Sequence, residues 1–135
     1  MTTILVVDDA PEVRDVVATF LADEGFEVAA CGSAEDALVR LALALPDLLI
    51  LDGRLPGISG WECLRQLRRS DRTARLPVLM LTAAVDDLEK GRQEPPDDCT
   101  TYLAKPFEID DVLAAIHGVI TACDQEPLAL GAGVS

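Results

Sequence analysis

The chain has 135 residues, enough for one domain with a hydrophobic core and too few for two. Half of the residues are hydrophobic but only 4% are aromatic, which indicates an aliphatic core of helices packed on a sheet. The net charge of −13 argues against nucleic acid as a direct partner and favours cations, or proteins with a basic docking face.

The cysteines show neither a CxxC pair nor the spacing of a metal site, so we expect reduced thiols in a cytoplasmic protein. They are Cys31, Cys63, Cys99 and Cys123. No apolar run approaches the about 18 residues of a membrane span, and the N-terminus lacks the positive region of a signal peptide. We therefore expect no membrane partner.

The first part of the chain predicts strands and helices in alternation. Residues 4–7 form a buried strand, and a helix follows from Pro11, which suits a first helical turn, to Gly25. The inward residues predicted for this helix are Val13, Val16, Val17, Phe20 and Leu21. Glu27–Cys31 is a short strand, after which Ser33 caps a second helix. The inward stripe predicted for the second helix is Ala34, Ala37, Leu38, Leu41, Ala42 and Leu45.

Residues 47–52 are the predicted central strand. Four consecutive aliphatic residues between turn formers fit a parallel strand that is buried on both faces. This strand ends in Asp52, and the first strand ends in Asp8 and Asp9. In an open α/β sheet, ligands bind beyond the carboxyl ends of the strands, so these acids are candidates for a site.

After a loop rich in turn formers, a third helix is predicted with three apolar residues inward and three arginines on a solvated outer face. The inward residues are Trp61, Leu64 and Leu67, and the arginines are Arg65, Arg68 and Arg69. Residues 77–81 form a fourth strand that ends at Thr82, and Thr100–Ala104 form a fifth that ends at Lys105. The last helix is predicted to turn inward Ile109, Val112, Leu113, Ile116 and Ile120.

Residues 85–94 contain only two sizeable apolar side chains, so the fourth helix is expected to be short or irregular. Strands alternating with helices predict a doubly wound α/β domain with a five-stranded parallel sheet and right-handed crossovers. We expect this domain to cover residues 1–123 and a flexible C-terminal tail to cover residues 124–135.

The predicted strand ends bring Asp8, Asp9, Asp52, Thr82 and Lys105 to one edge of the sheet. Close carboxylates repel by about 4 kcal/mol a pair at an effective dielectric constant near 20, and a hard divalent cation relieves this. Ligands that are all oxygen favour Mg²⁺. Lys105 and Thr82 would bind oxygens of a phosphoryl group, and Asp52 would be the nucleophile that forms an acyl phosphate.

The chain resembles the receiver domain of bacterial two-component response regulators over about Thr3 to Ala122. The residues that carry the resemblance are 4–9, 48–52, 55–60, 81–83 and 102–107. It implies a flavodoxin-like receiver fold with the strand order 2-1-3-4-5. It also implies that Asp52 accepts a phosphoryl group from a histidine kinase or a phosphotransfer protein, so that the chain is a phosphoacceptor and not an enzyme.

The resemblance implies further roles for single residues. Mg²⁺ would be held by Asp9, Asp52 and the backbone carbonyl of Arg54, with Asp8 acting largely through water. Phosphate would be bound by Thr82, the backbone of Ala83 and Lys105. Thr82 and Tyr102 would form the switch pair, and the Lys105–Pro106 bond would be cis.

A phosphoryl group brings roughly −1.5 to −2 charges, which would draw Thr82 toward it and let Tyr102 turn inward. The surface offered to an unknown downstream protein would then change.

Two positions would tune the phosphoryl lifetime. Arg54 would shield the acyl phosphate or pair with the acids, unless it is only a solvated loop residue, and Ala84 offers no group to orient an attacking water.

Two other functions remain open from the sequence. The first is an adaptor on the same fold that signals without phosphorylation, which the thin fourth helix favours and the intact set of acids opposes. The second is an aspartyl phosphohydrolase like the haloacid-dehalogenase-like enzymes, but the chain lacks their DxD motif after the first strand. Whether the chain stands alone or belongs to a larger regulator is also open.

Overall fold

The computed structural model describes residues 2–82 and 99–124. Its strands are β1 (Thr3–Val7), β2 (Glu27–Cys31), β3 (Leu48–Asp52), β4 (Val78–Thr82) and β5 (Thr100–Ala104). The helices in these ranges are α1 (Pro11–Asp23), α2 (Ala34–Leu43), α3 (Gly60–Arg69) and α4 (Ile109–Asp124). The helix predicted within residues 85–94 and the predicted tail from residue 125 onward lie outside the described residues.

The sheet has five parallel strands in the order β2-β1-β3-β4-β5, which confirms the predicted fold. Val7 is in register with Leu51, and Thr82 is in register with Ala104. The carboxyl ends of the strands therefore meet at one edge of the sheet, which we call the carboxyl edge. The opposite one is the amino edge.

The core consists of one layer of apolar side chains on each face of the sheet. Val17 and Leu21 of α1 and Val112 and Ile116 of α4 pack on one face, and α2 and α3 cover the other. Every residue of β3 is buried, as its aliphatic run predicts. Burying one such side chain contributes about 1.5–3 kcal/mol, so the hydrophobic effect stabilises β3 strongly, as it does β4, which is also buried at every residue.

Local sequence signals set the helix ends. Pro11 begins α1, and Gly25 follows its C-cap with a φ of 98°, a conformation that favours glycine. The Ser33 hydroxyl accepts a hydrogen bond from the Asp36 amide at 3.1 Å, as predicted. Ser59 caps α3 in the same way, a role that we missed although Glu62 three residues later signals it.

The predicted inward stripes are too wide. Val16 is 63% exposed because it lies at the margin of the α1 face that is centred on Val17 and Leu21. In α2, Ala42 is exposed, and Leu45 is 40% exposed because the helix ends before it.

Arg68 does not belong to a solvated face, contrary to the prediction. Its guanidinium donates hydrogen bonds to the carbonyls of Thr73 at 3.0 Å and Cys99 at 3.1 Å, and to the Thr100 hydroxyl at 2.7 Å. The side chain thus joins α3 to the start of β5. By contrast, Arg69 is exposed, and Arg65 pairs with Glu62 within the helix.

The prediction of four reduced cysteines is wrong, because Cys99 and Cys123 form a disulfide. Their spacing along the chain gives no hint of it, since the pair meets only when the end of α4 returns to the start of β5. Cys31 and Cys63 are free and buried, and burial raises the pKa of both thiols, that of Cys63 to about 12. None of the helices described is long and apolar enough to cross a membrane.

We expect the double variant Cys99→Ser/Cys123→Ser to be less stable than the oxidised wild type. The disulfide links residues 24 positions apart, and a loop of this size contributes about 3 kcal/mol in the chain-entropy model. Urea unfolding should show a lower midpoint for the variant. A reductant should lower the midpoint of the wild type, with thiol counting to verify reduction, and leave that of the variant unchanged. Equal midpoints for the oxidised and the fully reduced wild type would contradict the expectation.

Candidate functional site

Three aspartates converge at the carboxyl edge of the sheet. Asp8 and Asp9 follow β1, Asp52 ends β3, and one carboxylate oxygen from each lies within 4.8 Å of the others. Asp8 is 1% exposed and Asp52 is 6% exposed, whereas Asp9 faces solvent. The cluster is therefore closed on the protein side and open on one side to water and ions.

Lys105 lies directly after β5 and places its ammonium group between two of these acids. The Nζ atom is 3.0 Å from Oδ2 of Asp8 and 3.3 Å from Oδ2 of Asp52. The Lys105 amide donates to the Thr82 carbonyl at 2.7 Å, which ties the residue to the end of β4. The Lys105–Pro106 bond is cis, as the resemblance implied.

The backbone around Asp8 is held by several hydrogen bonds. Its amide donates to the Cys31 carbonyl at 3.2 Å, and its Oδ1 accepts from the Ala10 amide at 2.9 Å. Arg14, in the first turns of α1, donates to the Asp8 carbonyl at 3.0 Å. We missed this positioning role of Arg14, because no sequence signal distinguishes it from an exposed helix arginine.

Asp52 is fixed from the loop that follows it and from α3. Its Oδ1 accepts a hydrogen bond from the Arg54 amide at 3.0 Å. A Cβ at Gly60 would lie only 1.9 Å from the Asp52 carbonyl oxygen, so glycine is required for α3 to start this close to β3.

The charges of the site are unbalanced. Burial raises the pKa of Asp52, and the neighbouring Asp8 raises it further, while the Arg54 amide and Lys105 lower it. Burial lowers the pKa of Lys105, but the hydrogen bond and charge of Asp8 and the charge of Asp52 outweigh this and raise it overall. A protonated lysine therefore faces three acids, and a hard cation coordinated by their oxygens would restore the balance.

The predicted switch residues lie beside this cluster. Thr82 is fully buried at the end of β4, and Tyr102 is half-buried in β5. The Tyr102 ring stacks on the indole of Trp61, with centroids 5.8 Å apart and an interplanar angle of 24°. Arg54 is exposed at the mouth of the site. Ala83 and Ala84 lie outside the described residues, so their predicted roles stay predictions.

Comparison with known proteins identifies this arrangement. The family model for the response regulator receiver domain matches residues 4–117. The chain belongs to this family. The receiver domain is thus shown by its sequence as well as by its fold.

The chain is similar to the DNA-binding dual master transcriptional regulator RpaA of Synechocystis, with 38% identity over 96% of this chain and 53% of that one. It is also similar to the solved structure of a putative response regulator from Chloroflexus aurantiacus, with 34% identity, a TM-score of 0.81 and coverage of 89% and 98% of the two chains. A third relative is response regulator TrrA of Thermotoga maritima, solved in complex with Mg²⁺-BeF, with 30% identity, a TM-score of 0.73 and coverage of 88% and 99%. The receiver spans about half the length of the curated relatives it matches.

Asp52→Asn is expected to stabilise the metal-free receiver at neutral pH. The unfolded chain ionises Asp52 at its ordinary pKa of 3.8 and the folded chain at a higher pH, so folding weakens as the pH rises through that interval. The variant avoids this cost, and its midpoint of thermal unfolding in EDTA should exceed that of the wild type at pH 7. A gain of about 1 kcal/mol corresponds to about 4 °C in a domain of this size.

The matched control is Asp15→Asn, which removes the same formal charge from an exposed position of α1. The difference between Asp52→Asn and the wild type should shrink as the pH falls toward 3.8 and disappear well below it, where the wild-type carboxyl is protonated in both states. A midpoint at pH 7 that is no higher than that of Asp15→Asn would contradict the expectation.

Proposed function

We propose that this receiver accepts a phosphoryl group on Asp52 in a reaction that depends on Mg²⁺. The observation that carries the proposal is the cluster of Asp8, Asp9 and Asp52 bridged by the ammonium group of Lys105. Asp52 is the member of the cluster that ends the central strand, where burial and the Arg54 amide fix its carboxylate. A carboxylate that is already held in place can attack phosphorus without reorganising.

The donor set fits Mg²⁺. Its side-chain ligands are carboxylates, and the solvent-facing Asp9 leaves room for the waters that Mg²⁺ retains. We assign Asp9, Asp52 and the Arg54 carbonyl as direct ligands and Asp8 as a ligand that acts through water. Bound Mg²⁺ would neutralise the acids and coordinate an oxygen of the phosphoryl group. The relative TrrA was solved with Mg²⁺-BeF, which supports the assignment for this chain.

The chain's own residues then stabilise the transferred group. An Asp52 oxygen forms a bond to phosphorus while the bond from phosphorus to the donor breaks, and the donor's imidazole leaves. Lys105, already protonated beside Asp52, donates to one phosphoryl oxygen, and the Thr82 hydroxyl and Ala83 amide donate to others. Negative charge is spread over the phosphoryl oxygens in the transition state. Hydrogen bonds from these donors stabilise the transition state because they act on that charge.

The output of the reaction is a changed surface around β5. Thr82 moves toward the phosphoryl group and Tyr102 adjusts behind it, so that a downstream protein binds one state better than the other. The upstream partner is a histidine kinase or a phosphotransfer protein. In this role the receiver is a phosphoacceptor that assists its own phosphorylation and dephosphorylation, and is not an enzyme with a separate substrate.

Incubation with Mg²⁺ and acetyl phosphate should add one phosphoryl group to the wild type, as measured by intact mass. Asp52→Asn should add none, and Asp9→Asn should need more Mg²⁺. Lys105→Met should slow the reaction about a hundredfold, the effect of removing one donor to the transferred group. Arg69→Met, which removes one positive charge from an exposed position of α3, is the control and should react at the wild-type rate.

An unmodified wild type, with Mg²⁺ and donor both in excess, would contradict phosphoacceptor function. It would favour the adaptor that signals without phosphorylation. Modification of Asp52→Asn to the wild-type extent would contradict the choice of Asp52 alone.

Arg54→Ala should shorten the lifetime of phosphorylated Asp52. Arg54 is exposed at the mouth of the site, and its guanidinium would screen the acyl phosphate from water. An exposed ion pair contributes up to about 1 kcal/mol, so the rate of dephosphorylation should rise by at most about fivefold. Arg54→Lys should have a smaller effect, and Arg69→Ala, an exposed arginine of α3, should have none. An unchanged rate in Arg54→Ala would remove this role.

A further inference from the structure

Trp61 is the residue that lies between the phosphoacceptor strand and the switch tyrosine. It occupies the first turn of α3, is 4% exposed, and is the chain's one tryptophan. The proposed function assigns roles to Asp52 and Tyr102 but none to Trp61. The two contacts of the indole indicate a role for it.

On one side, the indole lies against the backbone that leaves Asp52. A Cβ at Gly53 would lie 2.8 Å from Trp61 Nε1, so the indole is packed on this glycine. The Gly60 amide donates to the Gly53 carbonyl at 3.1 Å, and the Gly53 amide donates to the Leu81 carbonyl at 2.9 Å. A shift of the backbone at Asp52 therefore reaches the indole within one residue.

On the other side, the indole carries the ring of Tyr102, which stacks on it with centroids 5.8 Å apart. Tyr102 lies three residues before Lys105, whose ammonium group binds Asp8 and Asp52. Both neighbours of Trp61 thus lead back to the same cluster of charges.

The Nε1–H of Trp61 is buried and has no hydrogen-bond partner among the residues that the structure describes. Buried polar groups are nearly always paired, so a buried donor without a partner is an exception that calls for an explanation. The present arrangement keeps the stack with Tyr102 and leaves this donor unsatisfied.

We infer that Trp61 is a positioning residue of the switch, which holds Tyr102 against α3 and transmits to it the change at Asp52. The inference rests on the proposed function and deepens it by adding a member to the switch pair. A stacked aromatic pair changes the equilibrium constant between two states by about two- to tenfold. This is enough to affect the fraction of molecules in which Tyr102 moves on phosphorylation.

Nuclear magnetic resonance can test this directly, because the chain has one tryptophan and one tyrosine, so the indole N–H signal and the tyrosine ring signals each come from one residue. With Mg²⁺ and acetyl phosphate, the indole N–H signal and the Tyr102 ring signal of the wild type should both move, while intact mass shows phosphorylation in the same sample. In Tyr102→Leu and in Tyr102→Phe the indole signal should still move, because Gly53 links the indole to Asp52 without the tyrosine.

The reciprocal variants test the tryptophan. In Trp61→Leu the Tyr102 signal should lose its ring-current shift and its response to phosphorylation, and Trp61→Phe, which keeps a ring, should restore both. Leu67→Ala, a buried truncation on the same helix, is the control for simple loss of packing and should leave the response of both signals intact.

The two proposals fail in different ways. If mass shows phosphorylated wild type but neither aromatic signal moves, or if Trp61→Leu responds as the wild type does, the role of Trp61 is overturned and the phosphoacceptor stands. If mass shows no phosphorylation, the phosphoacceptor is overturned and the role of Trp61 with it. If Trp61→Leu does not fold, the wild type decides, because a Tyr102 signal that moves on phosphorylation while the indole signal stays fixed overturns the role of Trp61.

Discussion

The contact of one lysine with two buried aspartates is the interaction on which the site depends. Lys105 pairs with Asp8 and Asp52, so it joins the carboxyl ends of β1, β3 and β5. A buried ion pair contributes little net stability, but loss of one partner leaves a buried charge without compensation. The fold therefore tolerates its acids only while a cation is present among them. This requirement makes the cluster responsive to a metal ion and to a phosphoryl group, since both change the balance of charge that Lys105 maintains.

The sequence was sufficient where a single strong physical effect decides the structure. Continuous aliphatic runs predicted β3 and β4, and the acids at their ends predicted the cluster, because the parallel register brings those ends together. It was insufficient where a contact forms only in three dimensions. The disulfide between Cys99 and Cys123, the hydrogen bonds of Arg68 and the contact of Arg14 with Asp8 join segments whose meeting no local pattern announces. The predicted inward stripes were too wide for a related reason. Helical periodicity predicts the direction in which Val16 points, but it does not predict how far the sheet extends beneath the helix.

These long-range contacts fix β5 at both edges of the sheet. The start of β5 is fixed at the amino edge by Arg68 and by the disulfide, and the carbonyl of Cys123 also accepts a hydrogen bond from Arg75 at 2.7 Å. The end of β5 is fixed at the carboxyl edge by Lys105. A strand held at both ends cannot slide along its neighbour without breaking one set of contacts. In the proposed switch, the response to a change at Asp52 is therefore confined to side chains between the ends, of which Tyr102 is the aromatic one.

The same geometry separates stability from chemistry. The five residues of β5 span about 16 Å, a distance at which two unit charges interact by about 1 kcal/mol at an effective dielectric constant near 20, a quarter of the value at 4 Å. The contacts at the amino edge therefore act on the acid cluster mainly through packing. The cluster, in turn, acts on the amino edge mainly through rigid elements such as β5 and α3. Trp61 of α3 contacts both Gly53, the residue after Asp52, and Tyr102 of β5. In the proposed switch, a change of charge at Asp52 becomes a displacement of packed side chains, and this pair of rings is the described contact that connects Asp52 to β5 in that way.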